Sequence, residues 1–283
     1  MSKHLVLFLI VLCLLGLAIF IIFKLASPYP NSPSALTTNE SLTASAFNSL
    51  KQVFGSRRHA TTTPSPTPTP TPTSTPISVY PWHTNITAAV FWVGEPVGNG
   101  SSEDNALSAW DDNWEEHYGG YDNYSYVRTA TNNYFPNEFT PKENPFYLDL
   151  PYNDFNDNGT PRTNRTTVVP WAKEKIWASN QSMMKNQWVK LTKGDNTCYG
   201  QIEDAGPYIY NDYAYVFSTT DSRPKSTRAN DAGMDVSPAL RDCLKFAGLN
   251  NVDNKVNWQF INATDVPRGP WKVVITTSQI NWP

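Results

Sequence analysis

The chain has 283 residues, a formal net charge of −3, 40% hydrophobic and 17% charged residues, and three cysteines. A charge so near zero with no basic run gives no footprint for nucleic acid, and Gly94–Gly100 (GEPVGNG) is a glycine-rich turn without the spacing or helix-borne lysine of a phosphate loop. The histidines, His4, His59, His83 and His117, are scattered and no cysteine is spaced with them, so neither a metal nor another cofactor is expected.

Leu5–Phe23 is an unbroken apolar run that, as a helix rising about 1.5 Å per residue, spans roughly 28 Å of hydrocarbon. Lys24 follows it, and Ala26-Ser27-Pro28 is a poor processing site, so residues 1–26 are expected to form an uncleaved transmembrane anchor rather than a removed signal peptide. Residues 27–79 have few large apolar side chains and end in a Thr-Pro alternation over Thr61–Pro76, too little surface to offset ordering entropy. That stretch reads as a disordered tether, extended as polyproline II, with at most a frayed amphipathic turn over Ser41–Phe54. All ten tryptophans lie beyond it, from Trp82 to Trp282, so residues 80–283 are expected to bury one substantial core outside the cytoplasm.

Within that domain Ile86–Val93 reads as a buried strand. Ser102 caps an expected helix whose Leu107, Trp110, Trp114 and Tyr118 share one face before Gly119. On its other face Asp111, Asp112, Glu115 and Glu116 read as solvated charge, with His117 beside them as a weaker acid/base alternative. Phe146–Leu150 is a short strand, and Asp154–Gly159 copies the first half of a calcium loop but has Arg165 where the bidentate Glu belongs, which favours an Asx-turn loop. A helical patch over Trp171–Met184 is followed by Trp188–Thr192, a Gly194-Asp195 turn and Thr197–Asp204, which together read as a β-hairpin. Val256, Trp258 and Phe260 alternate with Lys255, Asn257 and Gln259 as a half-buried strand, and Trp271–Thr276 is expected to be the last strand.

Cys13 lies in the apolar run, which leaves Cys198 and Cys243 as a pair in an oxidising compartment. Either they close a loop of about 45 residues, stabilising by on the order of 4 kcal/mol, or they are two buried thiols. Two segments carry chemistry. Gln201–Pro207 (QIEDAGP) leaves the Asp204 carboxylate at a strand end, and Gly233–Leu240 (GMDVSPAL) places Ser237 as N-cap and Pro238 at the first helical position, with Asp235 just before them.

These segments, in this order and followed by Lys255–Phe260 (KVNWQF), resemble the double-psi β-barrel superfamily that includes rare lipoprotein A, bacterial expansins and barwin-like endoglucanases; Thr87–Trp92 is similar to the family's opening strand. The resemblance implies a mainly β, six-stranded closed barrel with helical insertions, and a groove on which Asp235 and Asp204 act while Thr87, Trp92 and Tyr208 contact cell-wall polysaccharide such as peptidoglycan or a cellulose-like glycan. The histidine of the lytic transglycosylase members has no counterpart in Phe139–Pro145, and residues 208–233, with Tyr208, Tyr210, Tyr213 and Tyr215, replace a short loop. The expectation is therefore an expansin-like domain that binds or remodels wall polysaccharide without hydrolysis. Two alternatives remain: a glycan-cleaving enzyme with Asp235 as acid and Asp204 or an unassigned carboxylate as partner, or a non-catalytic surface interaction domain.

Overall fold

The computed structural model describes residues 79–98 and 101–279, all within one compact unit. The expected transmembrane segment and almost all of the tether lie outside the described residues, among which no helix is long and apolar enough to cross a membrane. Six strands carry the fold: β1 (His83–Val90), β2 (Tyr147–Leu150), β3 (Trp188–Lys193), β4 (Asn196–Ala205), β5 (Ala232–Val236) and β6 (Lys255–Ile261). They close into a barrel in the order β1-β5-β2-β4-β3-β6. β1 runs parallel to β5 and β2 parallel to β4, while the other neighbours are antiparallel. Closure leaves no strand edge unpaired. The mainly β barrel is thus the architecture expected.

Period-two patterning explains the core. Ile86 and Ala88 of β1, Leu148 and Leu150 of β2, Val189 and Leu191 of β3, and Val256, Trp258 and Phe260 of β6 all belong to one buried cluster. The expected hairpin is present, with Lys193 paired to Asn196 across the Gly194 turn. The helix α4 (Pro238–Leu244) starts where Ser237 caps it, its Oγ accepting from the Leu240 N–H at 3.2 Å. Cys198 of β4 and Cys243 of α4 are joined in a disulfide with Cα atoms 6.4 Å apart, fastening the helix to the barrel wall.

Three expected elements are not formed, each for a local reason. The helix from Ser102 shrinks to α1 (Trp114–Tyr118), because side chains upstream of it capture the backbone in successive turns. Asp104 accepts from the Ala106 N–H, Ser108 from Trp110 and Asp111 from Asn113, the competition that keeps Asp and Ser out of helix interiors. Trp110, Trp114 and Tyr118 are buried as the pattern predicts, but Leu107 is 48% exposed. Asp111 is not solvated charge: it is buried, with the His117 Nδ1 2.8 Å from its carboxylate. Gly119 ends α1 in the left-handed conformation, φ 108°, which a side chain would strain.

The Trp171–Met184 patch is irregular, because buried Asp154 draws it in. Asp154 accepts from Ser182 Oγ at 2.6 Å and the Met183 N–H at 2.9 Å, and Arg165 of α2 (Arg165–Val168) pairs with it at 3.3 Å. The residue in the calcium loop's first position therefore serves as a tertiary staple, while Asn158 makes the expected Asx turn with the Thr160 N–H. The last expected strand is instead a short 3₁₀ turn, Pro270–Lys272, followed by a bend and chain without regular structure. Thr276 still makes a ladder-like pair of bonds, but with a side chain: its N–H donates to Gln201 Oε1 and its carbonyl accepts from Gln201 Nε2, both at 3.0 Å. This covers the outer face of β4, so Cys198–Ala205 is buried throughout.

Candidate functional site

Strand register assembles the site. Asp149 of β2 is paired with Asp204 of β4 in the parallel ladder, and Leu148 is paired with Val236 of antiparallel β5. One step from that pair, the residue after Leu148 faces the residue before Val236, so Asp149 also lies opposite Asp235. Asp204, Asp149 and Asp235 thus form a row across three adjacent strands, and all three line one cleft. The row is tightly built. The Asp235 N–H donates to Asp149 Oδ1 at 2.7 Å, and Asp204 Oδ1 accepts from the Ala109 and Ala205 N–H groups, each at 2.7 Å. Gly206 is required beside it, because a Cβ there would sit 2.5 Å from Asp149 Oδ2.

Carboxylates directly opposite one another repel, and burial penalises the charged form of each. Burial pushes Asp204 up to about 7, against the two backbone N–H groups that favour its charge. Asp235 is raised by burial and then by the neighbouring Asp204, with only the Ala89 N–H in opposition. Asp149 is raised well above the ordinary carboxylate range, by burial and then by Asp235 and Asp204. Glu95, at the same cleft, reaches about 7 through burial and the Asp235 charge. The row therefore retains protons near neutral pH, shared among its members. Asp235 lines the cleft as a partly exposed residue, and its buried Oδ1 has no hydrogen-bond partner among the described residues, which leaves that oxygen uncommitted.

The cleft has a volume of about 140 Å³ around the aspartates, and a second lobe of about 210 Å³ shares Glu103, Asn105, Asp204, Ala205 and Tyr210 with it. Trp92, Tyr208 and Tyr210 wall the first lobe, with Trp92 held by its Nε1–H donating to Tyr121 Oη at 3.2 Å. Of the residues expected to contact polysaccharide, Trp92 and Tyr208 line the cleft. Thr87 does not: it is buried in β1, where its Oγ1 accepts from Lys255 Nζ at 2.9 Å. Tyr215 of α3 (Tyr213–Val216) is a core residue bonded to Trp258 Nε1. Asp149 was not singled out from the sequence. Its signal was present in the strand FYLDL, where one carboxylate interrupts an otherwise apolar run.

No set of three or more His, Cys, Asp or Glu side chains among the described residues is arranged to hold a metal ion. Comparison with known protein families finds no family model that matches the chain. Comparison with characterised proteins finds no significant match either.

Proposed function

We propose that this domain is a double-psi-type barrel that cleaves polysaccharide chains in the aspartate cleft, with Asp235 as the general acid. The observation that carries this reading is the row Asp204–Asp149–Asp235, which holds protons near neutral pH and opens between aromatic walls. Two parallel pairs within a closed six-stranded barrel are compatible with the double-psi connection. Asp149 is the partner carboxylate that the sequence left unassigned.

Glycosidic cleavage needs a carboxyl that still carries its proton beside one that can become a carboxylate, and like-charge coupling supplies that pair. Asp235 donates its proton to the bridging oxygen, and the C–O bond breaks with its electron pair moving to that oxygen. Positive charge then develops on the sugar ring, next to the Asp204 and Asp149 carboxyls, where ionisation of either offsets it. Partly exposed Tyr208 gives the cleft an aromatic surface for the apolar side of the sugar, and Trp92, buried against Tyr124, backs that wall. Whether water or a hydroxyl of the sugar completes the step is read from the products: new reducing ends, or internally closed anhydro ends.

The test is release of soluble fragments from insoluble peptidoglycan and cellulose, with reducing ends counted and product masses recorded. Asp235→Asn keeps the shape of the side chain and is expected to lower release by about 10²–10⁴-fold with an unchanged melting curve. A wild-type chain that releases nothing from either polymer overturns cleavage. The second reading, binding and loosening without turnover, is favoured by the aromatic walls alone and predicts retention on the polymer without products. Tethering outside the cytoplasm by residues 5–23 belongs to the same proposal, supported by the disulfide, which forms and persists in oxidising compartments.

A further inference from the structure

The two lobes of the cleft meet at Asp204, and their charged lining has one sign. Glu95, Glu103, Asp149, Asp204 and Asp235 line the first lobe, and Asp104 and Asp157 are added in the second. No lysine, arginine or histidine lines either lobe among the described residues. The nearest cations serve other groups. Lys185 is buried in an ion pair with Glu203 at 2.6 Å, and the Arg228 guanidinium lies over the Tyr208 ring, 5.2 Å from its centroid.

Most neutral glycans carry only hydroxyl and acetamido groups, which give a set of carboxylates no charge to balance. A groove of one sign raises the local concentration of the opposite charge and penalises its own. In the second lobe Glu103, Asp104 and Asp157 are solvent-exposed. In the first lobe Asp149 and Asp204 are buried and Asp235 is partly exposed. A cationic group arriving at the cleft is attracted to these exposed carboxylates, and the protonated row beside them sets no positive charge against it. The partly exposed Tyr208 and Tyr210 also line the first lobe, and aromatic rings attract an ammonium.

We infer that the cleft selects glycans with unsubstituted amino groups, polymers of 2-amino-2-deoxy sugars bearing ammonium charge, over N-acetylated or amine-free chains of the same linkage. This rests on the glycan reading of the site and names its substrate class. Glu103 and Asp157, on the second lobe, are the selecting residues, and Asp235 remains the group at the bond.

The experiment compares three glycan probes on the full chain at mildly acidic pH, fully deacetylated chitosan hexamer, chitohexaose and cellohexaose, with a lysine hexamer as a fourth, non-sugar probe. Product release and calorimetric binding are both recorded. The expected result is a preference of about tenfold or more for the deacetylated hexamer, equivalent to about 1.4 kcal/mol, that shrinks as salt is raised. The double variant Glu103→Gln, Asp157→Asn, which keeps side-chain volume, should lower the ratio of deacetylated to acetylated hexamer several-fold. If the neutral hexamers are cleaved as well as the cationic one, in a manner lost in Asp235→Asn, the selectivity inference falls and the site reading stands. If no hexamer is cleaved but the cationic one alone binds, the selectivity stands and the cleavage reading falls. Equal or absent binding of all three with no cleavage, or capture of a lysine oligomer in preference to every sugar, overturns the inference.

Discussion

Two buried acidic centres lie within two residues of each other on β2 and are built on opposite principles. At Tyr147 the hydroxyl donates to Asp122 Oδ2 at 2.8 Å, Tyr118 donates to the same oxygen at 3.1 Å, and Arg128 pairs with the other oxygen, with both charged side chains fully enclosed. Burial raises the Asp122 carboxyl, and Arg128 with the two tyrosines pulls it back. At Asp149 the neighbours are two more aspartates and a single N–H donor, and the one cation acting on the row, Lys185, opposes the rise of Asp204 as its weakest cause. A compensated buried charge is a fastener, whose loss leaves its partner stranded. An uncompensated row is costly to the fold, and its use lies in the protons it holds and the cleft it faces.

The largest effect should come from breaking the compensated centre. Arg128→Ala leaves Asp122 enclosed without its partner and is expected to destabilise the domain by about 3–5 kcal/mol, lowering the thermal midpoint by roughly 10 °C or more. Asp235→Asn, measured alongside, should stay within about 1 kcal/mol of the parent. Equal losses in the two variants would erase the contrast.

The disulfide comes next, because it fastens β4, which carries Asp204, to α4, which follows Asp235. Cys243→Ser is expected to cost about 2–5 kcal/mol and to lower the midpoint by several degrees. Thiol counting on the unfolded, unreduced chain checks the premise: both cysteines should be silent, and two reactive thiols would remove the bridge from the account.

The smallest effect is the pH dependence of the uncompensated row, and it has a definite sign. Asp204 and Glu95 reach about 7 in the folded chain, above the unfolded carboxylate range near 4. Such groups stabilise the fold while protonated: the contribution is whole below about pH 4 and is lost as pH rises through about 7. The melting midpoint should therefore fall between roughly pH 4 and pH 7. Asp149→Asn keeps an oxygen for the Asp235 N–H while removing one of the coupled charges, so it should flatten that fall. A midpoint that rises over the same interval would mean that the row is compensated in solution.

The sequence by itself determined what neighbours along the chain can specify. Alternation in Val256, Trp258 and Phe260 marked β6, the Gly194-Asp195 turn marked the β3–β4 hairpin, and Ser237-Pro238 marked the start of α4, because side-chain period and end caps act within a few residues. Where local patterns failed, long-range or side-chain partners had taken the backbone: Asp154 holding Met183, Gln201 holding Thr276, and the Asp and Ser turns ahead of α1. Asp204 and Asp235 were legible as carboxylates at strand and helix boundaries. Their juncture with Asp149 was not. The bond from the Asp235 N–H to Asp149 joins residues 86 apart in sequence, and the row exists only because β2 is inserted between β5 and β4 when the barrel closes. Burial and like-charge repulsion, the two causes that give these carboxyls their protons, are properties of that closure, since in the extended chain each aspartate is solvated and far from the others.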